Sequence, residues 1–482
     1  VAWRVALPPA LLVTVLLTAT SNRYGYHRDE LYFRMLQPAW GHLDQPPLAP
    51  LLARTLSAVV DEPWALRIPA TVSLVLFVLV TTLLTGELGG GPGAQRLTAW
   101  GSAFGALPLA MAHTLLTSAL DLAVWPAVVL CATRALLRRA PRWWLLAGLV
   151  AGLSTYDKFL VAVLVAALAA ALLCTGRHRV LASPLVWGGA LLGLLVALPN
   201  LAYQATHGWP QLDVGAALGA ANGAEVRTAM WPMLLVLLGP AAVPVWVVGW
   251  VCLARRPGWR PVRFLSVALG LVLVLVFAMG SQPCYPLGML AVVFAAGSVP
   301  VAEWRAGHRG RRRVVTGAAA ANAVVSIVIA LPVLPADLLA RTPVPEVNQV
   351  ARDTLGWPEY VRQVAGVYAG LPADERARAV VVTANYGEAG AVARYGPALG
   401  LPAVHSGHNA LADATPPPRS ATVAVYVGFG ERAREAFATC AVVARLDSGL
   451  GVDTEEQGEP VAICRDPVGG WEHAWPRLRH VD

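Results

Sequence analysis

Lysine is almost absent from this chain: of 37 lysines and arginines in 482 residues, only Lys158 is a lysine. Charge of either sign is scarce, at 14% of residues, where a soluble domain carries about 25%. With a mean hydropathy of +0.55, the chain cannot cover a soluble globule of this length with polar side chains, so most of it belongs in a bilayer. The net charge of +8 is no nucleic-acid footprint, and no nucleic-acid partner is expected, because the arginines sit in short loops between apolar runs. Familiar chemical signatures are missing too. There is no H-E-x-x-H or Cys/His metal spacing, no P-loop and no G-x-S-x-G elbow, and TANYGEAGA is not a dinucleotide fingerprint. Cysteines number six. Cys131, Cys174 and Cys252 lie in apolar runs and read as packing residues, and Cys284 sits at a run's end. Cys440 and Cys464 fall in a polar region, where pairing and non-pairing both stay open.

What is present is apolar length. Eleven runs read as spans, near residues 5–20, 66–86, 97–113, 119–137, 143–156, 159–175, 181–201, 229–253, 261–279, 285–302 and 314–333. The first is read as a retained helix, since no small-residue cleavage site precedes the DE stretch that follows. From a cytoplasmic N-terminus, alternation puts about 17 basic residues in the inner loops against two acids, Glu87 and Glu303. That agrees with the positive-inside bias and leaves the C-terminus outside. The expected fold is a polytopic α-helical membrane protein of about 11 spans with a C-terminal extracytoplasmic α/β domain. Residues 1–335 form the membrane module, including a first outer loop at 21–65, and residues 336–482 the outer domain. In that domain 379–384, 421–427, 440–446 and 460–464 read as strands, and 386–395 and 431–437 as helices.

The polar exceptions to the apolar sequence fall on the outer side. The first outer loop holds YGYHRDELYF, with Tyr26, His27, Asp29 and Glu30, and then WGHLDQPPLAP, with His42 and Asp44. It also holds an amphipathic stretch, LAPLLARTLSAVV, suited to an interface. Asp121 interrupts the start of the fourth span, where a lone acid needs a partner. Asp157 and Lys158 occupy a junction between spans, and an ammonium there is a compact charge suited to phosphate. The plainer alternative is a local Asp157–Lys158 ion pair. Asn200, Tyr203, Gln204, His207 and Trp209 follow, then Ser281, Gln282 and Tyr285. A transporter or flippase of a lipid-linked sugar, the competing class, needs polar residues near the mid-membrane. Here they ring one rim, as an enzyme of the outer leaflet requires.

The segments YHRDELYF, WGHLDQPPLAP, LTSALDLAVW, GLSTYDKF, PNLAYQATHGW and SQPCYPLGM resemble, in order, those of the GT-C integral-membrane glycosyltransferases. Within these the resemblance is specifically to family 39, the protein O-mannosyltransferase and lipid A aminoarabinose transferase group. The tail TANYGEAGAVARYGPALGLPAVHSGHN is similar to the outer domain of bacterial members. The resemblance implies an inverting glycosyltransferase that moves a sugar from a polyprenyl-phosphate carrier to an acceptor hydroxyl outside the cytoplasmic membrane. The acceptor class is protein, lipid or glycan, and no cofactor is required beyond the donor substrate. The family's first-loop acid aligns with Asp29, the expected general base, with Glu30 orienting the loop or the acceptor. Lys158, Asp121, His42, Asp44 and Tyr285 are expected to hold the donor's phosphate and sugar, and Tyr26, His27 and His207 to line the acceptor side. No metal site is expected; Asp29 and Asp44 have the chemistry for a divalent ion, but no spacing demands one. The chain departs from the aminoarabinose transferases at Gln45, where they carry a lysine before the Pro-Pro, so phosphate must be met elsewhere.

Overall fold

The computed structural model describes residues 2–280 and 282–481, so Ser281 lies outside the described residues. The chain divides into two compact units. One comprises residues 1–20, 45–48 and 67–331, the other 21–44, 49–66 and 332–482.

The first unit is helical, and each expected apolar run contains helix. Among the described residues six helices are long and apolar enough to cross a membrane, those ending at Thr20, Glu87, Leu137, Thr206, Arg305 and Ala330. Trp143–Ser154, Val161–Cys174 and Phe264–Met279 are shorter apolar helices, and the third run is split into Pro92–Ala103 and Ala106–Ala112. The eighth run departs most from expectation. A helix begins at Pro210, runs through the expected outer loop to Val236, and meets the helix ending at Arg255 at a 75° bend. The loop's alanine-rich composition favours helix despite its polarity. Gly239 then makes the turn, with φ of 92° and a Cα that Asn322 approaches too closely for any Cβ, and Pro240 follows.

Small residues bring the helices together. Gly148 and Gly152 face Gly189 and Gly193, and a Cβ on any of the four would overlap the opposing backbone. Without a hydrophobic drive inside lipid, such close backbone approach supplies the packing. The arginine-rich loops gather at one end of this unit. There Glu87 takes Arg134 at 2.8 Å and Arg138 at 2.7 Å, and Glu303 takes Arg256 at 2.7 Å.

The second unit is a five-stranded sheet with short helices. Its strands are β1 (Ala379–Thr383), β2 (Val404–Ser406), β3 (Val423–Val427), β4 (Phe437–Arg445) and β5 (Pro460–Pro467), in the order β2-β1-β3-β5-β4. β1 pairs in parallel with β2 and β3, and β5 runs antiparallel to β3 and β4. One face is closed by Tyr426, Phe437, Trp471 and Trp475. A Cys440–Cys464 disulfide joins β4 to β5, which settles the pairing that the sequence leaves open.

The loop of residues 21–44 belongs to this unit, where the sequence reading groups it with the spans. Its helix Arg28–Phe33 lies on the helix Tyr386–Tyr395, and the absence of a side chain at Gly390 makes that possible. A Cβ there would stand 2.6 Å from the Leu31 backbone.

Candidate active site

Within the helical unit, the end away from the arginine loops holds Lys158. Helix Trp143–Ser154 ends in a turn in which the amides of Asp157 and Lys158 donate to the Ser154 carbonyl, at 3.0 and 2.8 Å. This turn presents the lysine inward. Its Nζ donates to the Ser118 hydroxyl at 2.9 Å and lies 4.7 Å from the centre of the Tyr285 ring, a cation–π placement. Ser118, Asp121, Trp125, Lys158, Cys284 and Tyr285 line one small hollow. Among the described residues no carboxylate pairs with the Lys158 ammonium, so the local ion pair with Asp157 does not form. Asp157 is instead 3% exposed, and neither of its carboxylate oxygens has a hydrogen-bond partner; Asp121 Oδ1 has none either. Buried oxygens in that state are costly unless something donates to them. The hollow therefore offers one cation for an anion and, in Asp121, an acceptor for a hydroxyl group.

The other expected residues of this unit lie elsewhere. His207 is exposed at the end of its helix and stacks on Tyr203, with ring centres 4.0 Å apart; it is not among the residues lining the Lys158 hollow. Asn200 is spent on the backbone, donating to the Thr155 carbonyl at 2.6 Å. Gln45, in the position that differs from the aminoarabinose group, is buried with an unpartnered Nε2.

Within the second unit, the residues of YHRDELYF divide by role. His27 caps the helix, its Nδ1 accepting from the Asp29 amide at 3.1 Å, while the Glu30 carboxylate accepts from the His27 amide at 2.8 Å. This capping box occupies Glu30, which is fully buried, so Glu30 shapes the loop. His27 Nε2 lies 3.9 Å from Asp353. Tyr26 turns to a different cluster, donating to Asp61 at 2.8 Å, where Arg34 and Arg394 pair with the same acid at 2.5 and 3.0 Å.

Asp29 stands in the first helical turn, where its charge is favoured by the helix end. The Tyr386 hydroxyl donates to Asp29 Oδ1 at 3.0 Å, and among the described residues no hydrogen bond reaches Oδ2. The Tyr386 ring is held by the Arg28 guanidinium, 4.7 Å away, by Tyr32 at 4.7 Å and by His408 at 4.9 Å. Arg28 in turn pairs with Glu455. Burial and the Asp29 charge push the Tyr386 phenol far above its ordinary range, so it remains a donor. Asp44 accepts from the Tyr32 hydroxyl at 3.0 Å and from Asn409 at 3.4 Å, and burial pushes its carboxyl up to about 6. His42 is buried, which holds its imidazole near 4. Tyr386, His408 and Asn409 escaped the sequence reading. Only the Asn385…Glu388 capping box signalled an ordered helix start there. Among the described residues no three His, Cys, Asp or Glu side chains gather as a metal centre.

The model of the dolichyl-phosphate-mannose-protein mannosyltransferase family matches residues 44–203. No curated protein matches the chain by sequence. By structure, the chain is similar to ArnT from Cupriavidus metallidurans bound to undecaprenyl phosphate. The TM-score is 0.60 at 15% identity, over 96% of this chain and 98% of that one. The apo state of the same protein gives 0.59 at 13%, over 94% and 96%. Likeness along nearly the whole length of both chains is likeness of fold.

Proposed function

We propose that this protein is an inverting glycosyltransferase that takes a sugar from a polyprenyl-phosphate carrier and gives it to an acceptor hydroxyl outside the cytoplasmic membrane. The observation that carries the reading is the state of Lys158. It is the chain's one ammonium, held by a hydroxyl and a ring face, unneutralised by any carboxylate among the described residues, at the rim away from the arginine loops. Such a charge is poised for a phosphate that gains negative charge as it leaves. The fold shared with an undecaprenyl-phosphate-bound enzyme supports the donor class.

In the reaction, the acceptor oxygen attacks the anomeric carbon from the face opposite the phosphate. Asp29 takes the hydroxyl proton on Oδ2 as the new C–O bond forms, while Tyr386 keeps Oδ1 in place. The bond from the anomeric carbon to the phosphate oxygen breaks, and polyprenyl phosphate departs with its electron pair, its charge met by Lys158. A stable anion leaves, so no general acid is needed. Asp121 is assigned to sugar hydroxyls, for which its unpartnered oxygen is an acceptor. The Cys440–Cys464 disulfide supports an oxidising, extracytoplasmic setting for the C-terminal unit.

A deletion strain should accumulate one polyprenyl-phosphate sugar, and the purified protein should consume that lipid with formation of a new glycosidic bond. An unchanged lipid-linked sugar profile in the deletion strain, or movement of the lipid across proteoliposomes with no new bond, would reject the reading.

A further inference from the structure

The helix Arg309–Ala330 is poorly supported by the rest of its own unit. Only Ser326 and Ala330 are buried along its 22 residues. Asn322 ties its middle to the 237–242 bend, donating to the Leu238 carbonyl at 3.0 Å and accepting from the Ala241 amide at 3.3 Å. Between this helix and its neighbours run two apolar troughs of about 530 and 450 Å³. They share a dividing ridge formed by Trp100 and Phe104, stacked with ring centres 5.7 Å apart, and a common wall at Val315 and Ala319.

The lip of the second trough is cationic. Arg96 and Arg305 line the second trough; Arg96 is exposed, and Arg305 is half-buried with one N–H given to the Gly93 carbonyl at 2.7 Å. Among the described residues neither meets a carboxylate. The nearest acid in sequence, Glu303, is taken by Arg256. Arginines without counter-charge beside an apolar groove, at the membrane end where arginines gather, are matched by an anionic headgroup.

We propose that an anionic glycerophospholipid occupies this place, with its phosphate on Arg96 and Arg305 and one acyl chain in each trough. The two troughs choose the ligand class. A single-chain carrier fills one and leaves the other empty, whereas a diacyl lipid fills both from one headgroup. The lipid then completes the packing of helix Arg309–Ala330, which the protein alone leaves open. The site is independent of the glycosyltransferase reading and lies at the opposite end of the helical unit from Lys158.

The test is native mass spectrometry of the full-length protein, delipidated in detergent and titrated with phosphatidylglycerol or phosphatidylcholine of the same chains. One phosphatidylglycerol should be retained at least tenfold better than phosphatidylcholine. Arg96→Gln/Arg305→Gln should erase that preference, while Ala319→Trp should reduce retention of both lipids by filling the shared wall. Arg177→Gln/Arg179→Gln, a basic loop away from the troughs, should leave the preference intact. Equal retention of the two lipids by the unaltered protein would overturn the proposal. So would the same loss in the Arg177/Arg179 variant, single-chain lysophosphatidylglycerol binding as well as the diacyl lipid, or a dimer of the protein that Ala319→Trp abolishes.

Discussion

The Tyr386 hydroxyl reaches Asp29 at 3.0 Å, so a helix of the sheet-containing unit fixes one oxygen of the acid assigned as base. The two substitutions at this contact should differ in size. Asp29→Asn removes the proton acceptor and should cost about 10²- to 10⁴-fold in transfer rate. Tyr386→Phe keeps the ring between Arg28, Tyr32 and His408 but deletes one hydrogen bond to a charge, worth about 1.5–3 kcal/mol, or about 10- to 100-fold. Initial rates with a labelled lipid-linked donor measure both. Equal rates for Tyr386→Phe and the parent protein would remove Tyr386 from the site.

Lys158 gives a second contrast. Lys158→Met should lower the transfer rate by about 10²–10³, the cost of losing one preorganised group on a developing anion. Arginine should restore little, since its planar fork does not match a site built by one hydroxyl and one ring. Tyr285→Phe keeps the ring face beneath the ammonium and should stay within a few-fold of the parent. Titration of donor concentration separates the loss of binding from the loss of rate. A Lys158→Met enzyme of full activity would sink the phosphate assignment.

The sequence made the helices legible because apolar run length is set by bilayer thickness, a constraint read without knowing any neighbour. The bend at 237–242 was hidden, because the apolar run 229–253 has a span's length and the turn depends on Gly239 against Asn322, a contact made on folding. Asp29 was visible as a carboxylate beyond the first span, but its partner Tyr386 is a long-range contact with no local pattern. Lys158 is visible as the lone lysine, and the plainer alternative of a pair with the adjacent Asp157 does not form, because the turn aims the amine at Ser118. β2 spans only three residues, too few for any alternation to show.

Three buried carboxyl groups of the sheet-containing unit should favour its folded state at acid pH, against the opposite sign of the buried His42 imidazole. Burial raises Asp44 from 3.8 to about 6 and both Glu388 and Glu456 from 4.5 to about 7. Each therefore holds its proton more tightly folded than unfolded. Their contribution is fully present below about pH 4 and is lost as pH rises towards 7. Asp44→Asn should leave the melting temperature at pH 4 unchanged and raise it at pH 8, by at most about 3 kcal/mol of stability. Thermal melts of the purified protein in detergent at the two pH values decide it, and a lower melting temperature for the variant at pH 8 contradicts the sign.

The Cys440–Cys464 bond closes a sequence separation of 24 residues and should contribute about 3 kcal/mol through the unfolded chain. Cys440→Ala/Cys464→Ala, or a reductant, should lower the melting temperature of this unit. Thiol alkylation in intact cells followed by mass analysis reads the same bond in place. Both thiols free in growing cells would argue against an exported C-terminal unit.

Gly390 tests whether the fit of two short helices sets the position of the base. Any side chain there drives into the Leu31 backbone, and Leu31 follows Asp29 by two residues on a helix too short to bend around the obstruction. Gly390→Val should cost about 1–3 kcal/mol by overpacking. Its effect on transfer should exceed that on melting temperature, because displacement of about an ångström at a reacting group is enough for a 10²-fold loss. Gly366 supplies the control: it lies on the exposed face of helix Trp357–Ala369 with open space where a Cβ would go. Gly366→Ala should gain about 0.5–1 kcal/mol with activity unchanged. If Gly390→Val transfers sugar at the parent rate while its stability drops, the helix contact supports the fold alone and the position of Asp29 is set by something else.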